Sequence, residues 1–389
     1  MYNFDKLESR KGTKSLKFDY AVKRGMPEGI QPLWVADMDF PVPKEVSEAL
    51  IQRCNHGIFG YSGPDDNYFK ALNGWFERNH KLTIDPETVL ITPGIVFAIN
   101  LAIRAFTNKG DSVLIQQPVY YPFFQSIKTN ERKVINSPLI NQEGHYEIDF
   151  EDLEQKMIQE NVKLFILCSP HNPVGRVWTK KELERIGDLC LKHQIIVIAD
   201  EIHCDFTAEG HIHTPFINVK PEYREFTITC TAPSKTFNLA GLHHSNIIIP
   251  NKKLKQAMNQ EMNMIGGIDA SLMGLIACEA AYNHGEVWLE EVKEYIKGNL
   301  EFIKAFLKEY LPEVAVIEPE GTYLIWLDFR ALGLSQKELD RKMIYEANLW
   351  LDGGTMFGEE GTGYQRVNIT TSRENIRQAM EAIVQVFKK

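Results

Sequence analysis

Three polar clusters follow three apolar runs in this 389-residue chain. After residues 163–168 (KLFILC) comes SPHNPVG, with Asn172 between a proline-rich turn and Gly175. After 195–199 (IIVIA) comes Asp200-Glu201-Ile202-His203, and after 226–230 (FTITC) comes Thr231-Ala232-Pro233-Ser234-Lys235. Each has a plain reading when taken alone. Asn-Pro starts turns, an aspartate at a strand end caps the next helix, and a lone lysine after serine is usually solvated. Together they stand at successive strand ends, where ligands gather in open α/β sheets. An amide, a carboxylate and an amine converging there suit pyridoxal phosphate chemistry. The lysine bonds the aldehyde, the carboxylate keeps the pyridine nitrogen protonated, and the ring takes up the electrons of a substrate Cα carbanion. The cofactor phosphate needs backbone donors, and Thr92-Pro93-Gly94 just before a helix supplies a helix N-terminus.

The elements that must hold these residues are legible from periodicity. Apolar, β-branched runs at 89–92, 112–116, 163–168, 195–199, 226–230 and 245–249 lack polar alternation. Helix-period segments at 95–106, 150–160 and 179–193 lie between them. Fully apolar strands separated by helices predict an α/β fold with a mostly parallel central sheet covered on both faces. Two further helices are expected at 44–54 and 66–80, and helical pattern runs from 254 through about 310. The tail differs: a strand-rich piece at 321–329, a helix, a mobile glycine-rich turn region at 352–363, a strand at 365–369 and a last helix from 374. The expected division is a large α/β domain over 46–285. A smaller α+β domain combines an irregular N-terminal arm, 1–45, with 286–389. No internal repeat or low-complexity segment interrupts it.

Composition excludes several classes. The hydrophobic fraction of 44% and charged fraction of 24% belong to a folded globular protein rather than a disordered one. Acidic residues exceed basic ones, 52 to 43, which argues against a nucleic-acid partner. No stretch approaches the roughly 18 apolar residues of a membrane span. The start, MYNFDKLESRKGTKS, lacks the apolar core of a signal peptide, so a cytoplasmic location is expected. The six cysteines form no CxxC pair, and several sit in apolar runs as reduced thiols do. His211 and His213 form an HxH pair and His243 and His244 are adjacent, but metal sites need three or four supported ligands, so no metal is expected. The acidic run 286–294 reads as a solvated helix face.

The order PVYYPF, SPHNPVG, ADEIH, SKTFNLAGL and a late arginine resembles the fold type I pyridoxal phosphate enzymes of aminotransferase class I/II, over nearly the whole chain. Within them WVADMDF (34–40), DEIH and SKTFNLAGL are similar to the MalY/PatB branch of cystathionine β-lyases and cysteine-S-conjugate C–S lyases. The resemblance implies that fold, with pyridoxal 5′-phosphate as cofactor and an amino acid as substrate. It makes Lys235 the covalent anchor and proton shuttle, pairs Asp200 with the pyridine nitrogen, and puts Asn172 and His203 near the ring 3-oxygen. Tyr120 stacks on the ring; Tyr120 or Tyr121 protonates the leaving sulfur. The amides of Gly94, Ile95 and Val96 hold the phosphate, with a hydroxyl from Ser234 or Thr231. Tyr61, in GIFGYSG, reaches the phosphate of a neighbouring subunit, which implies a homodimer with shared active sites. Arg366, in YQRVNIT, clamps the substrate α-carboxylate, and Ala36 and Tyr61 border the substrate.

Two positions depart from the family pattern. His243 stands eight residues after the lysine, where many aminotransferases place an arginine, and Ala232 stands where a phosphate-binding serine is common. His243 reads equally as a phosphate donor or a packed histidine. The implied reaction is cleavage of L-cystathionine or a related cysteine S-conjugate to thiol, pyruvate and ammonia. An aminotransferase using the same lysine, aspartate and asparagine is the alternative; it needs a keto acid to complete its cycle. A regulatory protein-binding role added to the lyase scaffold is the third reading.

Overall fold

The computed structural model describes residues 2–388. Its central sheet has seven strands: β1 (Val89–Thr92), β2 (Ser112–Ile115), β3 (Lys133–Asn136), β4 (Leu164–Cys168), β5 (Ile196–Asp200), β6 (Thr227–Thr231) and β7 (Ser245–Ile248). Their spatial order is β1-β7-β6-β5-β4-β2-β3. All pairings from β6 to β3 are parallel, and only β7 runs against its neighbours β1 and β6. The sheet is therefore mixed. Strands β4, β5 and β6 are buried at nearly every position, as unalternated apolar runs require. One apolar cluster covers each face of the sheet.

These three strands are adjacent, and their register pairs Cys168 with Asp200 and Asp200 with Cys230. The polar clusters that follow them therefore emerge side by side. Between them, the helix Lys180–Lys192 starts with a reciprocal cap: Thr179 Oγ1 accepts from Glu182 N–H, while the Glu182 carboxylate accepts from Thr179 N–H.

A second, antiparallel sheet is built from β8 (Ala315–Ile317), β9 (Leu324–Asp328), β10 (Asp352–Gly353) and β11 (Tyr364–Asn368), in the order β8-β9-β11-β10. It packs with the helices Glu286–Tyr310 and Arg373–Phe387 in one apolar cluster that also takes in Phe4, Leu33, Met38 and Phe40 of the N-terminal arm. The arm is tied down by Gln31–Pro32, which pairs in parallel with Leu349–Trp350, and by Phe4, whose ring lies 6.2 Å from that of Trp288 in the helix Glu286–Tyr310.

Several expectations need correction. Strand β3 and the hairpin Leu139–Gln142/His145–Ile148 went unseen, because their exposed and polar positions leave no apolar run. The single helical pattern from 254 to 310 is three helices, Lys252–Met264, Leu272–His284 and Glu286–Tyr310. Gly266 and Gly267, both at positive φ, end the first, and Ser271 caps the second. The region 352–363 is not an irregular turn: it contains β10 and two short 3-10 turns, Gly354–Phe357 and Glu359–Gly361. A Cβ on Gly354 would lie 1.8 Å from the Gly361 carbonyl, so the close crossing of these turns demands glycine. Among the described residues, no helix is long and apolar enough to cross a membrane.

Candidate active site

A cavity of about 500 Å³ opens at the carboxyl ends of β4, β5 and β6. Its walls include Asn172, Asp200, His203, Ser234 and Lys235 from the three clusters, Tyr120 from the turn after β2, and Ala36 from the arm. Gly94, Ile95 and Val96, at the start of the helix Ile95–Phe106, close another side. No side chain caps that helix start, which leaves its first amide donors facing a space of ligand size.

The electrostatics of this space are unbalanced. Asp200 is buried at the tip of β5, and Oδ1 accepts one hydrogen bond, from Ile202 N–H at 3.2 Å. Burial pushes its pKa up to about 7; Glu201 adds to the shift, while Ile202 N–H and Lys235 oppose it. Lys235 lies on the short helix Pro233–Thr236, and Nζ donates to the Ala36 carbonyl at 2.6 Å. Burial pulls its pKa down to about 8, with Arg366 adding to the effect and Asp37 and Asp200 opposing it. Burial also lowers His203 to about 3, and its Nδ1 lacks a hydrogen-bond partner. Tyr120 and Tyr121 are held in the phenol form, their pKa values raised by burial.

Arg366, on β11 of the second sheet, is buried. Its guanidinium donates to Asn172 Oδ1 at 3.1 Å, to the Trp34 carbonyl at 2.8 Å and to the Asp352 carboxylate. The Phe357 ring lies under it, 4.8 Å away. Because Arg366 occupies Asn172 Oδ1, the Asn172 amide donors remain for another acceptor.

Not every expected residue joins this cavity. Thr231 lies outside it, with Oγ1 donating to the Asn246 carbonyl on β7 at 2.9 Å; alternation along β6 takes the hydroxyl to the sheet interior. Tyr61 is 98% exposed, away from the cavity of its own chain. Tyr121 stands behind the wall, its ring 5.4 Å from that of Tyr120 and 6.2 Å from that of Phe357. His243 and His244 both line the cavity, and His244 is also held from behind by Tyr68 OH, 2.7 Å from its Nε2. Residues that sequence reasoning missed include Asp352, the partner of Arg366, and Tyr323, whose hydroxyl donates to the Ala36 carbonyl at 3.1 Å. Asp352 carried a weak signal, since it opens the glycine-rich segment that directly precedes the strand of Arg366; Tyr323 carried none.

These residues fit pyridoxal phosphate. A buried carboxylate with no ion-pair partner among the described residues, a lysine with lowered proton affinity and an uncapped helix start surround one cavity. They answer a pyridine nitrogen, an aldehyde and a phosphate respectively. A larger cleft, about 600 Å³, lies between the 206–211 segment and the helix Glu286–Tyr310, and it brings together no such set.

Fold and site together define a class, and the sequence agrees: residues 31–383 match the aminotransferase class I and II family, to which the chain belongs. It is 44% identical to cystathionine beta-lyase PatB of Bacillus subtilis, covering 98% of both chains. Among solved structures, cystalysin from Treponema denticola, which contains a pyridoxal 5′-phosphate cofactor, superposes with a TM-score of 0.96 at 39% identity, covering 100% of this chain and 99% of that one. The pyridoxal phosphate-bound C–S lyase from Staphylococcus hominis gives a TM-score of 0.94 at 34% identity, again covering 100% and 99%.

Proposed function

We propose that this protein is a pyridoxal 5′-phosphate-dependent C–S β-lyase. Its substrate is L-cystathionine or a related cysteine S-conjugate, and its products are a thiol (homocysteine from cystathionine), pyruvate and ammonia. The observation that carries this reading is the convergence of Lys235, Asp200 and the uncapped Gly94–Val96 helix start on one cavity, beside the buried Arg366. When bound, the cofactor supplies an electron sink for the pair left at the substrate Cα.

The chain's own groups supply the rest. Lys235 Nζ would anchor the cofactor and is the base placed to take the Cα proton; a pKa near 8 suits a base that must also give a proton back. Asp200 holds the pyridine nitrogen, and the cation it meets there relieves the cost of its burial. The Asn172 amide donors and His203 would hold the ring oxygen, Tyr120 would stack on the ring, and Gly94, Ile95, Val96 and Ser234, with His243, would hold the phosphate. Thr231 is left with a structural role. Arg366, aimed by Asp352, binds the substrate carboxylate next to Ala36 and so orients Cα–H and Cβ–S for elimination. Of the two tyrosines only Tyr120 lines the cavity, and its hydroxyl, kept in the phenol form by burial, can donate a hydrogen bond to the departing sulfur, with Tyr121 packed behind it.

Tyr61 completes the phosphate site of a second subunit, so the working unit is a homodimer in the cytoplasm. Residues 46–285 form its cofactor-holding domain; 1–45 with 286–389 form the domain that carries the substrate clamp. Pyruvate released over many turnovers from L-cystathionine, with no keto acid added, is the expected result. One half-turnover that only a keto acid restores would instead establish an aminotransferase. In parallel, borohydride should fix the cofactor to wild-type protein and leave Lys235→Ala unlabelled.

A further inference from the structure

The segment 34–38 is held in an unusual way: five consecutive backbone carbonyls are each taken by a side-chain donor. Trp34 O accepts from Arg366, Val35 O from Asn368, and Ala36 O from both Lys235 and Tyr323. Asp37 O accepts from Asn368 and Thr370, and Met38 O from Asn238 and Arg10. The segment thus touches the lysine, the residue three positions after it and the arginine strand at once. The Asp37 side chain is locked from the arm: both terminal nitrogens of Arg10 grip its carboxylate at 2.9 and 2.6 Å, and Lys17 Nζ stands 3.5 Å away. Lys17 is itself fully buried and pairs with Asp39 at 2.8 Å. A loop that only closed a surface would not need two arm cations on two adjacent acids.

We propose that Asp37 is a positioning residue: clamped by Arg10 and Lys17, it holds the Ala36 carbonyl against the Lys235 nitrogen and places a fixed negative charge that favours the protonated lysine. The arm thereby becomes part of the proton-transfer apparatus, although none of its residues before Trp34 lines the cavity. The groups acting on Lys235 are Asp37 and Asp200, which favour its charge, and Arg366 together with burial, which oppose it. His203 and Tyr323 complete the surroundings, and Tyr323 competes for the same carbonyl. Among the charged groups, Asp37 exerts the largest effect. The chemical logic is that an amine buried beside Arg366 would otherwise be too weak a base to take and hold the Cα proton.

This inference rests on the reading of Lys235 as the cofactor anchor, and its test separates the two. The readout is the pH midpoint of the visible absorbance of the cofactor-loaded protein, which follows the proton on the Lys235 nitrogen; borohydride fixation first establishes that the anchor is intact. Asp37→Asn removes the charge and keeps the shape, so the midpoint should fall by about one pH unit. Arg10→Lys keeps the positive charge but loses the two-point grip on Asp37, so the midpoint should fall part of the way. Asp39→Asn breaks the pairs that Arg10 and Lys17 make with Asp39 at 3.0 and 2.8 Å but leaves Asp37 charged, so it serves as the structural control: it should lower the melting temperature and leave the midpoint in place. A cofactor-anchored Asp37→Asn protein with the wild-type midpoint, or an equal shift in Asp39→Asn, would overturn the proposal. If Asp37→Asn does not fold, Arg10→Lys decides alone, an unchanged midpoint overturning the proposal. Failure of borohydride to fix the cofactor would instead overturn the assignment of Lys235.

Discussion

At the residue scale, burial sets the chemistry here more than any single contact. Asp200, Lys235 and His203 share one cavity wall, and burial moves each toward its neutral form. A carboxyl pushed up to about 7 needs a cationic ring nitrogen to hold it ionised, whereas an amine near 8 can take and return a proton near neutral pH. Arg366 illustrates the opposite case, a charge kept buried because an anion, a carbonyl and an amide oxygen all receive it. A substrate carboxylate would add a charge-assisted pair worth about 1.5–3 kcal/mol. Arg366→Ala should therefore raise KM for cystathionine about 10- to 100-fold, while the cofactor stays bound. A KM within twofold of wild type would remove Arg366 from the substrate site.

At the element scale, the position of Arg366 depends on a narrow piece of backbone. Strand β10 pairs Asp352 directly with Arg366, and the crossing of Gly354 over Gly361 turns the chain so that Phe357 lies beneath the guanidinium. A methyl group at Gly354 has no room, so the two turns must part. Gly354→Ala should cost about 3 kcal/mol in urea unfolding, and it should weaken substrate binding through the displaced Asp352. Gly353 also faces a neighbour, the Asp340 carboxylate, but there a side-chain tip can move aside, so Gly353→Ala should be the milder variant. The reverse ranking would contradict this account of the crossing.

At the scale of the whole molecule, three buried histidines make the fold sensitive to acid. Burial lowers His203 to about 3 and His171 and His244 to about 4, from an ordinary value of 6.5. Each stays neutral in the fold but takes up a proton on unfolding below about pH 6.5. Stability is therefore full above that pH and declines as pH falls toward 4 and then 3. His244→Asn should narrow the gap between urea midpoints measured at pH 7 and pH 4.5, and an unchanged gap would mean His244 titrates normally. The exposed Tyr61 makes a second prediction at this scale. Mixed Lys235→Ala and Tyr61→Ala proteins should regain lyase activity, since a mixed dimer contains one site with both residues intact; no recovery would argue that each chain works alone.

The strand-end clusters were legible because uninterrupted apolar runs mark strands buried on both faces, and parallel neighbours must end on the same side. Asn172, Asp200, His203 and Lys235 follow from that local pattern, as does the helix start at Gly94. Strand β3 and the hairpin after it were not legible, because half-exposed edge strands look like loops over so few residues. Thr231 was placed one step too near the cavity, since only the pairing of β6 with β7 decides where its hydroxyl goes. The pairing of Asp352 with Arg366, the meeting of Lys235 with the Ala36 carbonyl, and the grip of Arg10 and Lys17 on Asp37 belong to the tertiary structure alone. Periodicity reports which side of an element is buried, whereas these contacts join residues up to about 200 positions apart through sheet register and the path of the arm.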